Sequence, residues 1–371
     1  GKSTAAALIL HKICDMAPEG HIIMIDPHGE YGAAFKDNGK VFDVNNLNLP
    51  YWLMNFREHC EVFVQSNGDA KQMDCDILAK CLLAAKAKNQ ASAGVAKLTV
   101  DSPVPYLLSD LTTILQNEMG KLDKATNSAP YQRLKSKIDE IKADPRYSFM
   151  FSGMLVGDTM ASFLTKIFRL PSEGKPISII DVSAMPSEIT PTVVSVLSRL
   201  VFDYAIWARN EPQRPMLLVC EEAHRYIPND DMAEESAVRD ILSRIAKEGR
   251  KYGVSLGLIT QRPSDLAEGV LSQCGTILSM RLNNDRDQAF VKAAMPEGAR
   301  GFLDSIPALR NREVICCGEG VAIPIRVSLD TLAEERRPAS EDPIFSDLWR
   351  EQGGEEEIIQ RVIKRWRAQG R

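Results

Sequence analysis

Three acids, one amide, one arginine and a short run of glycine, lysine and hydroxyls carry the chemistry this sequence can do. Gly1, Lys2, Ser3 and Thr4 stand at the head of the chain and lead straight into the apolar run AAALIL. At the start of a helix such a set binds phosphate. Free backbone N–H groups and the positive helix end draw the anion, the lysine reaches its outer oxygens, and the hydroxyl after it can join Mg²⁺. GKST is only the last part of the motif GxxxxGK[ST], and a chance match has the same composition. The residues downstream must decide.

In LLVCEEAH, four strand-like residues run into Glu221 and Glu222. Such paired acids after a buried strand suit phosphoryl transfer to water: one carboxylate stands near a metal and the other orients the nucleophile. Glu221 is expected beside Mg²⁺ together with Ser3, and Glu222 beside the attacking water. The first acid of such a pair is usually Asp, so the division of roles stays open, and a pair of helix-capping acids is the plain alternative. Gln261 ends the next apolar run, LGLITQ, where an amide can sense a γ-phosphate. In SRIAKEGRKYG, Arg250 and Lys251 close a predicted helix before Gly253. Basic residues there complement the helix dipole; alternatively Arg250, planar and always charged, is a finger that reaches a neighbouring subunit's γ-phosphate, with Arg244 in reserve. Asp26, in IDPHGEY, could orient water or a metal ligand, or serve the Asp-Pro-His-Gly turn that also accounts for His28. The other histidines show no metal-ligand spacing.

Positioning these residues requires strands whose tips share one edge. HIIMID, ISIID, LLVC and LGLIT are apolar runs that end in polar residues, the pattern of buried parallel strands, and TILSMRL and REVICCG follow in the same series. Helical periodicity fills the gaps at 4–16, 192–208 and 233–251, so the alternation predicts a doubly wound α/β sheet. The strand ISIIDV between GKST and the acid pair points to the P-loop division with an additional strand and a catalytic glutamate. Residues 57–150 lack a convincing strand and read as a helical insertion, in which Arg133, Lys135 and Lys137 suit a solvated face. The core is expected at 1–56 and 151–330, and a tail at 331–371 ends in a short amphipathic helix.

The 371 residues carry a formal net charge of -5, which excludes a generally basic coat but not a basic channel. Eight scattered cysteines without a CxxC suggest neither a zinc site nor a disulfide framework and favour a reducing cytoplasm. No apolar run reaches the roughly 18 residues of a membrane span, so no membrane partner is expected.

GKST, IDPHGEY, LLVCEEAHRYIP, IAKEGRKYGVSLGLITQRPSDL and LSQCGTILSMRLNNDRDQ together resemble the HerA family of hexameric ATPases, in the FtsK/HerA division of P-loop enzymes. The resemblance covers 1–56 and 151–327, and DPIFSDLW looks like a segment that packs against a neighbouring subunit in such rings. It implies a RecA-like P-loop NTPase fold and a DNA-dependent ATP hydrolase. Gly1, Lys2, Ser3 and Thr4 would hold ATP, and Ser3 and Glu221 the Mg²⁺. Glu222 would activate water, Gln261 act as sensor and Arg250 as finger in trans, and Asp26 matches a family acid near the nucleotide. A homo-hexamer around double-stranded DNA is implied, with an N-terminal β-barrel ahead of residue 1. The implied partner is a NurA-like nuclease in DNA repair, or a sirtuin-like or other effector in antiviral defence. Two alternatives remain: a ring-forming ATP-binding scaffold for an effector enzyme, and a conjugation or secretion ATPase.

Overall fold

The computed structural model describes residues 1–121, 128–229, 236–295, 301, 304–339, 349–350 and 356–368. Five strands form a parallel sheet: β1 (Ile22–Asp26), β2 (Gly39–Phe42), β3 (Ile177–Asp181), β4 (Met216–Cys220) and β5 (Val254–Leu258), in the order β2-β3-β1-β4-β5. The chain builds one side of β1 with β2 and β3, then crosses to the other side with β4 and β5. A parallel sheet opens a crevice at its carboxyl edge where the order turns in this way. The register sets Asp26 opposite Asp181 and Ile25 opposite Cys220, so the acids that follow these strands share that edge.

Strand side chains alternate between faces, and both faces here are apolar. Ile23, Ile25, Ile180, Leu218 and Cys220 face helices α8 (Thr190–Trp207) and α9 (Ala237–Glu248). Ile22, Met24, Ile177, Ile179 and Val219 face α1 (Lys2–Met16), whose Ala7, Leu10 and Cys14 recur at helical spacing. Two-sided burial explains why these strands read as continuous hydrophobic runs.

The sequence pattern sets TILS and EVICCG among the parallel strands, and the structure differs. β6 (Thr276–Ser279), β7 (Glu313–Gly318) and β8 (Ile325–Ser328) make a separate antiparallel sheet in the order β6-β7-β8. β6 and β8 are mostly open to solvent, which suits strands covered on one side rather than two. The four-residue strand β2 escaped the pattern because of its first residue. A Cβ on Gly39 would come within 2.8 Å of the Ile177 side chain, so glycine lets this short edge strand lie close on β3.

Between β2 and β3 the chain is helical: α2 (Phe56–Phe63), α3 (Asp69–Ala87), α4 (Leu108–Gly120), α5 (Ala129–Ala143), the single turn α6 (Ser148–Phe151) and α7 (Met160–Phe168). Arg133 makes two hydrogen bonds, of 3.1 and 2.7 Å, to the buried Asp74. Lys135 and Lys137 pair with Asp139 and Glu140 on their own helix. The insertion is riveted to the core by Glu58, which has no exposed surface. It is capped into α2 by Asn55 and bonded on α8 to Ser195 (2.7 Å) and Arg199 (2.9 Å).

After β8 the strap 329–339 crosses α1. Lys12 pairs with Asp330 at 3.1 Å and Arg336 with Asp15 at 2.8 Å, while Leu332 is buried among the α1 side chains. The main-chain N–H of Ala339 donates to Glu30 at 3.0 Å. All of DPIFSDLW but Trp349 lies outside the described residues, and the terminal helix Glu356–Ala368 buries none of its side chains.

Arg199→Leu strands the buried Glu58 carboxylate and is expected to reduce the unfolding free energy by about 3–5 kcal/mol in urea titrations. Adding Glu58→Met should recover most of that loss.

Candidate functional site

α1 begins with Gly1 as its N-cap, without a side-chain cap and with no acidic residue in its first turn. Its positive end and free N–H groups are therefore not satisfied by the helix's own side chains, the condition under which a helix start receives an anion. The Lys2 ammonium lies 3.3 Å from Glu222 Oε1. Gln261 Nε2 donates to the same oxygen at 2.9 Å, and His224 Nδ1 lies 3.4 Å from Oε2. Lys2, Glu222 and Gln261, far apart in sequence, thus meet at one carboxylate.

Backbone geometry makes this meeting possible. Glu221 continues the strand, its N–H bonded to Ile25 O at 3.2 Å, and Ala223 bonds Ile259 O at 2.9 Å. Between them Glu222 is left-handed (φ 49°, ψ 45°), a conformation that costs a non-glycine residue on the order of 1 kcal/mol. Along an extended strand, neighbouring side chains point to opposite faces. The left-handed turn breaks that alternation, so that Glu222 reaches Lys2 at the head of α1 while Glu221 reaches Tyr31 in the loop after β1.

Their surroundings separate the two acids. Burial would raise the Glu222 carboxyl, but the Gln261 hydrogen bond and the Lys2 charge outweigh it and hold it below the usual glutamate range. Glu221 is pushed up to about 7, first by burial and then by the Asp26 carboxylate, against the hydrogen bond from Tyr31. Environments that drive paired acids apart assign them different work. Glu222 is the standing anion able to orient water and accept its proton.

Glu221 Oε1 accepts from the Tyr31 hydroxyl at 3.1 Å, whereas its Oε2 is buried with no hydrogen-bond partner among the described residues. Ser3 lies beside the same phenol. A hydroxyl and an orphaned carboxylate oxygen suit Mg²⁺, which takes one or two protein oxygens and completes its shell with phosphate and water. A self-contained cage of three or more His, Cys, Asp or Glu does not occur among the described residues.

Asp26 does structural work with both oxygens. Oδ1 accepts from the main-chain N–H groups of His28 (3.2 Å) and Gly29 (2.9 Å), and Oδ2 from that of Tyr31 (2.9 Å). Gly29 sits at φ 68°, and a Cβ there would come within 3.0 Å of Asp181 Oδ2. The motif IDPHGEY is thus a loop wound on a buried carboxylate. Arg250 stands apart from these groups. Its side chain is 90% exposed and pairs with Glu319 at 3.2 Å beside the small sheet. Arg244 stacks over Phe202, 4.9 Å from the ring centre.

Gly1, Lys2 and Thr4 also line a cavity of about 680 Å³. Arg281, Arg310, Arg312 and Arg337 line it from the small sheet and the strap, against one acid, Asp330. Leu8, Leu329 and Leu332 supply an apolar side. Neither these arginines nor Tyr31, His224 and Thr260 were legible as site residues. His224 and Thr260, 3.0 Å apart, brace Glu222 from behind, and the signal for both is adjacency to Glu222 and Gln261.

Residues 1–201 match the family model for the central domain of the helicase HerA. The DNA double-strand break repair helicase HerA of Pyrococcus furiosus is 37% identical over 141 residues, 36% of this chain and 25% of that protein. The probable HerA of Methanocaldococcus jannaschii is 25% identical and aligns over 89% of this chain and 69% of its own length. The HerA of Saccharolobus solfataricus is 24% identical over 96% of this chain and 67% of its own. Among solved structures, VirB4 of Thermoanaerobacter pseudethanolicus superposes with a TM-score of 0.61 at 15% identity, covering 90% of this chain and 87% of that one. The bacterial conjugative coupling protein TrwBΔN70 gives 0.54 at 14%, covering 91% and 86%. The fold is that of the P-loop NTPases. No helix among the described residues is long and apolar enough to cross a membrane.

Because Glu221 holds its proton more tightly when folded than the usual glutamate, it favours the folded state below about pH 4.5, and that contribution is lost as pH rises through about 7. Glu221→Gln should therefore gain melting temperature relative to wild type at pH 8 in EDTA, and gain less or nothing at pH 4.

Proposed function

The chain belongs to the HerA helicase family, and from that premise we propose that it hydrolyses ATP at the head of α1 to drive movement along double-stranded DNA. The observation that carries the reading is the shared contact of Lys2, Gln261 and Glu222, since phosphate binding, water activation and γ-phosphate sensing need to communicate. Lys2 and the first N–H groups of α1 hold the phosphates. Glu222 orients the attacking water and takes its proton, and Gln261, bonded to Glu222, registers whether the γ-phosphate is present. Ser3 and Glu221 would hold Mg²⁺, which when bound neutralises charge on the phosphates. The cavity beside Gly1 and Thr4 is of a size to take the rest of the nucleotide.

The motor is a homo-hexamer in this reading, and Arg250 is supplied in trans. An exposed guanidinium remote from its own subunit's Glu222 is available to a neighbour's ATP. Duplex DNA runs through the ring and is held mainly by its phosphates. A partner nuclease of the NurA kind, in repair, or an effector of antiviral defence uses the movement.

ATP hydrolysis is expected to rise with duplex DNA, and the stimulation to fall with added salt. Lys2→Ala should bind ATP poorly. Glu222→Gln should bind it normally and hydrolyse it at least about 100-fold more slowly. DNA-insensitive turnover in wild type would instead favour a nucleotide-held scaffold.

Arg250→Ala should lower turnover about a thousand-fold. When Arg250→Ala subunits are mixed with Lys2→Ala subunits, activity should reappear wherever an intact ATP site faces an intact arginine. Mixtures as inactive as their parents would remove the assignment in trans.

A further inference from the structure

Tyr31 bonds one of the groups expected to hold the metal and lies beside the other. Its hydroxyl donates to Glu221 Oε1 at 3.1 Å, at the tip of β4, and lies beside Ser3 in the first turn of α1. Its backbone is fixed just as firmly, because its N–H donates to Asp26 Oδ2 at 2.9 Å and Asp26 is itself buried. The ring is wholly buried and stacks with Phe35, which in turn lies 4.0 Å from the His11 ring on α1. Backbone, ring and hydroxyl are thus each tied to a different element.

Packing explains the ring but not its oxygen. The surrounding cluster contains Phe35, leucines and isoleucines, where Phe would serve as well, and a buried hydroxyl is costly unless it is bonded. The bonding is also directional. A phenol has a single hydrogen, and here Glu221 receives it. On Glu221, Oε1 is thereby held and Oε2 has no hydrogen-bond partner among the described residues.

We propose that Tyr31 is a positioning residue that orients the Glu221 carboxylate, beside Ser3, as an oxygen ligand for the divalent cation accompanying the nucleotide. The assignment rests on the nucleotide-site reading above. Residues that hold ligands in place in this way commonly govern metal affinity by one to two orders of magnitude.

The test compares wild type with Tyr31→Phe, which removes one oxygen and keeps both the ring stack and the N–H bond to Asp26. Mn²⁺ is titrated by electron paramagnetic resonance in the presence of a saturating non-hydrolysable ATP analogue, and calorimetry measures binding of the analogue alone in EDTA. Mn²⁺ affinity should fall about tenfold, with analogue affinity in EDTA unchanged within about twofold. Unchanged Mn²⁺ affinity overturns the assignment. So does an equal loss of analogue binding in EDTA, which marks Tyr31 as a packing residue only. Wild-type protein that fails to bind the analogue, or binds it and takes up no Mn²⁺, defeats the underlying site reading, a failure visible without the variant.

Discussion

A carboxylate cannot be buried without partners, and Glu222 finds its own on three separate parts of the chain. Lys2 comes from the head of α1, Gln261 from beyond β5 and His224 from the turn after β4. The sheet order places β4 beside β5, so the distance from Glu222 to Gln261 follows from strand pairing. The distance to Lys2 does not, since α1 packs on a face of the sheet. It depends on the left-handed residue that turns the second glutamate towards the helix. The strain at that residue and the burial of its charge are offset by the same contacts, so the site and the local fold stand or fall together.

Side by side in sequence, the two glutamates end in unlike settings. Glu222 faces the Lys2 ammonium, an imidazole and an amide, while Glu221 faces a phenol, an aspartate and apolar side chains. One remains charged and the other approaches neutrality, an asymmetry produced by neighbours rather than by residue type. Asp26 contributes to it twice, by its charge and by winding the loop that carries Tyr31 to Glu221.

Much of this was legible in the sequence because strand tips advertise themselves. An apolar run that ends in acids or an amide identifies Asp26, Glu221, Glu222 and Gln261, and GKST identifies the start of α1. The fold class and the all-helical stretch between β2 and β3 follow from periodicity. Strand direction was not legible for TILS and EVICCG, since a short apolar run carries no mark of what pairs with it. Gly39 hid β2, whose close approach to β3 needs a residue of low strand propensity. Tyr31 and the cavity arginines were hidden for another reason. A lone tyrosine after a turn, or arginines spread from 281 to 337, acquire meaning only when the fold brings them to α1. Arg250 is the reverse case: its sequence context suggested a role, and in the fold its guanidinium pairs with Glu319 beside the small sheet.

The strap over α1 has a mechanical consequence. It is stapled to the helix by Arg336–Asp15 and Lys12–Asp330 and to the loop after β1 by Ala339–Glu30. Tension arriving from beyond residue 339 is therefore borne first by the loop that carries Tyr31 and then by the helix that presents Lys2. The strap and the head of α1 share one short lever, so a pull on the end of the chain is also a pull on the Lys2–Glu222 contact.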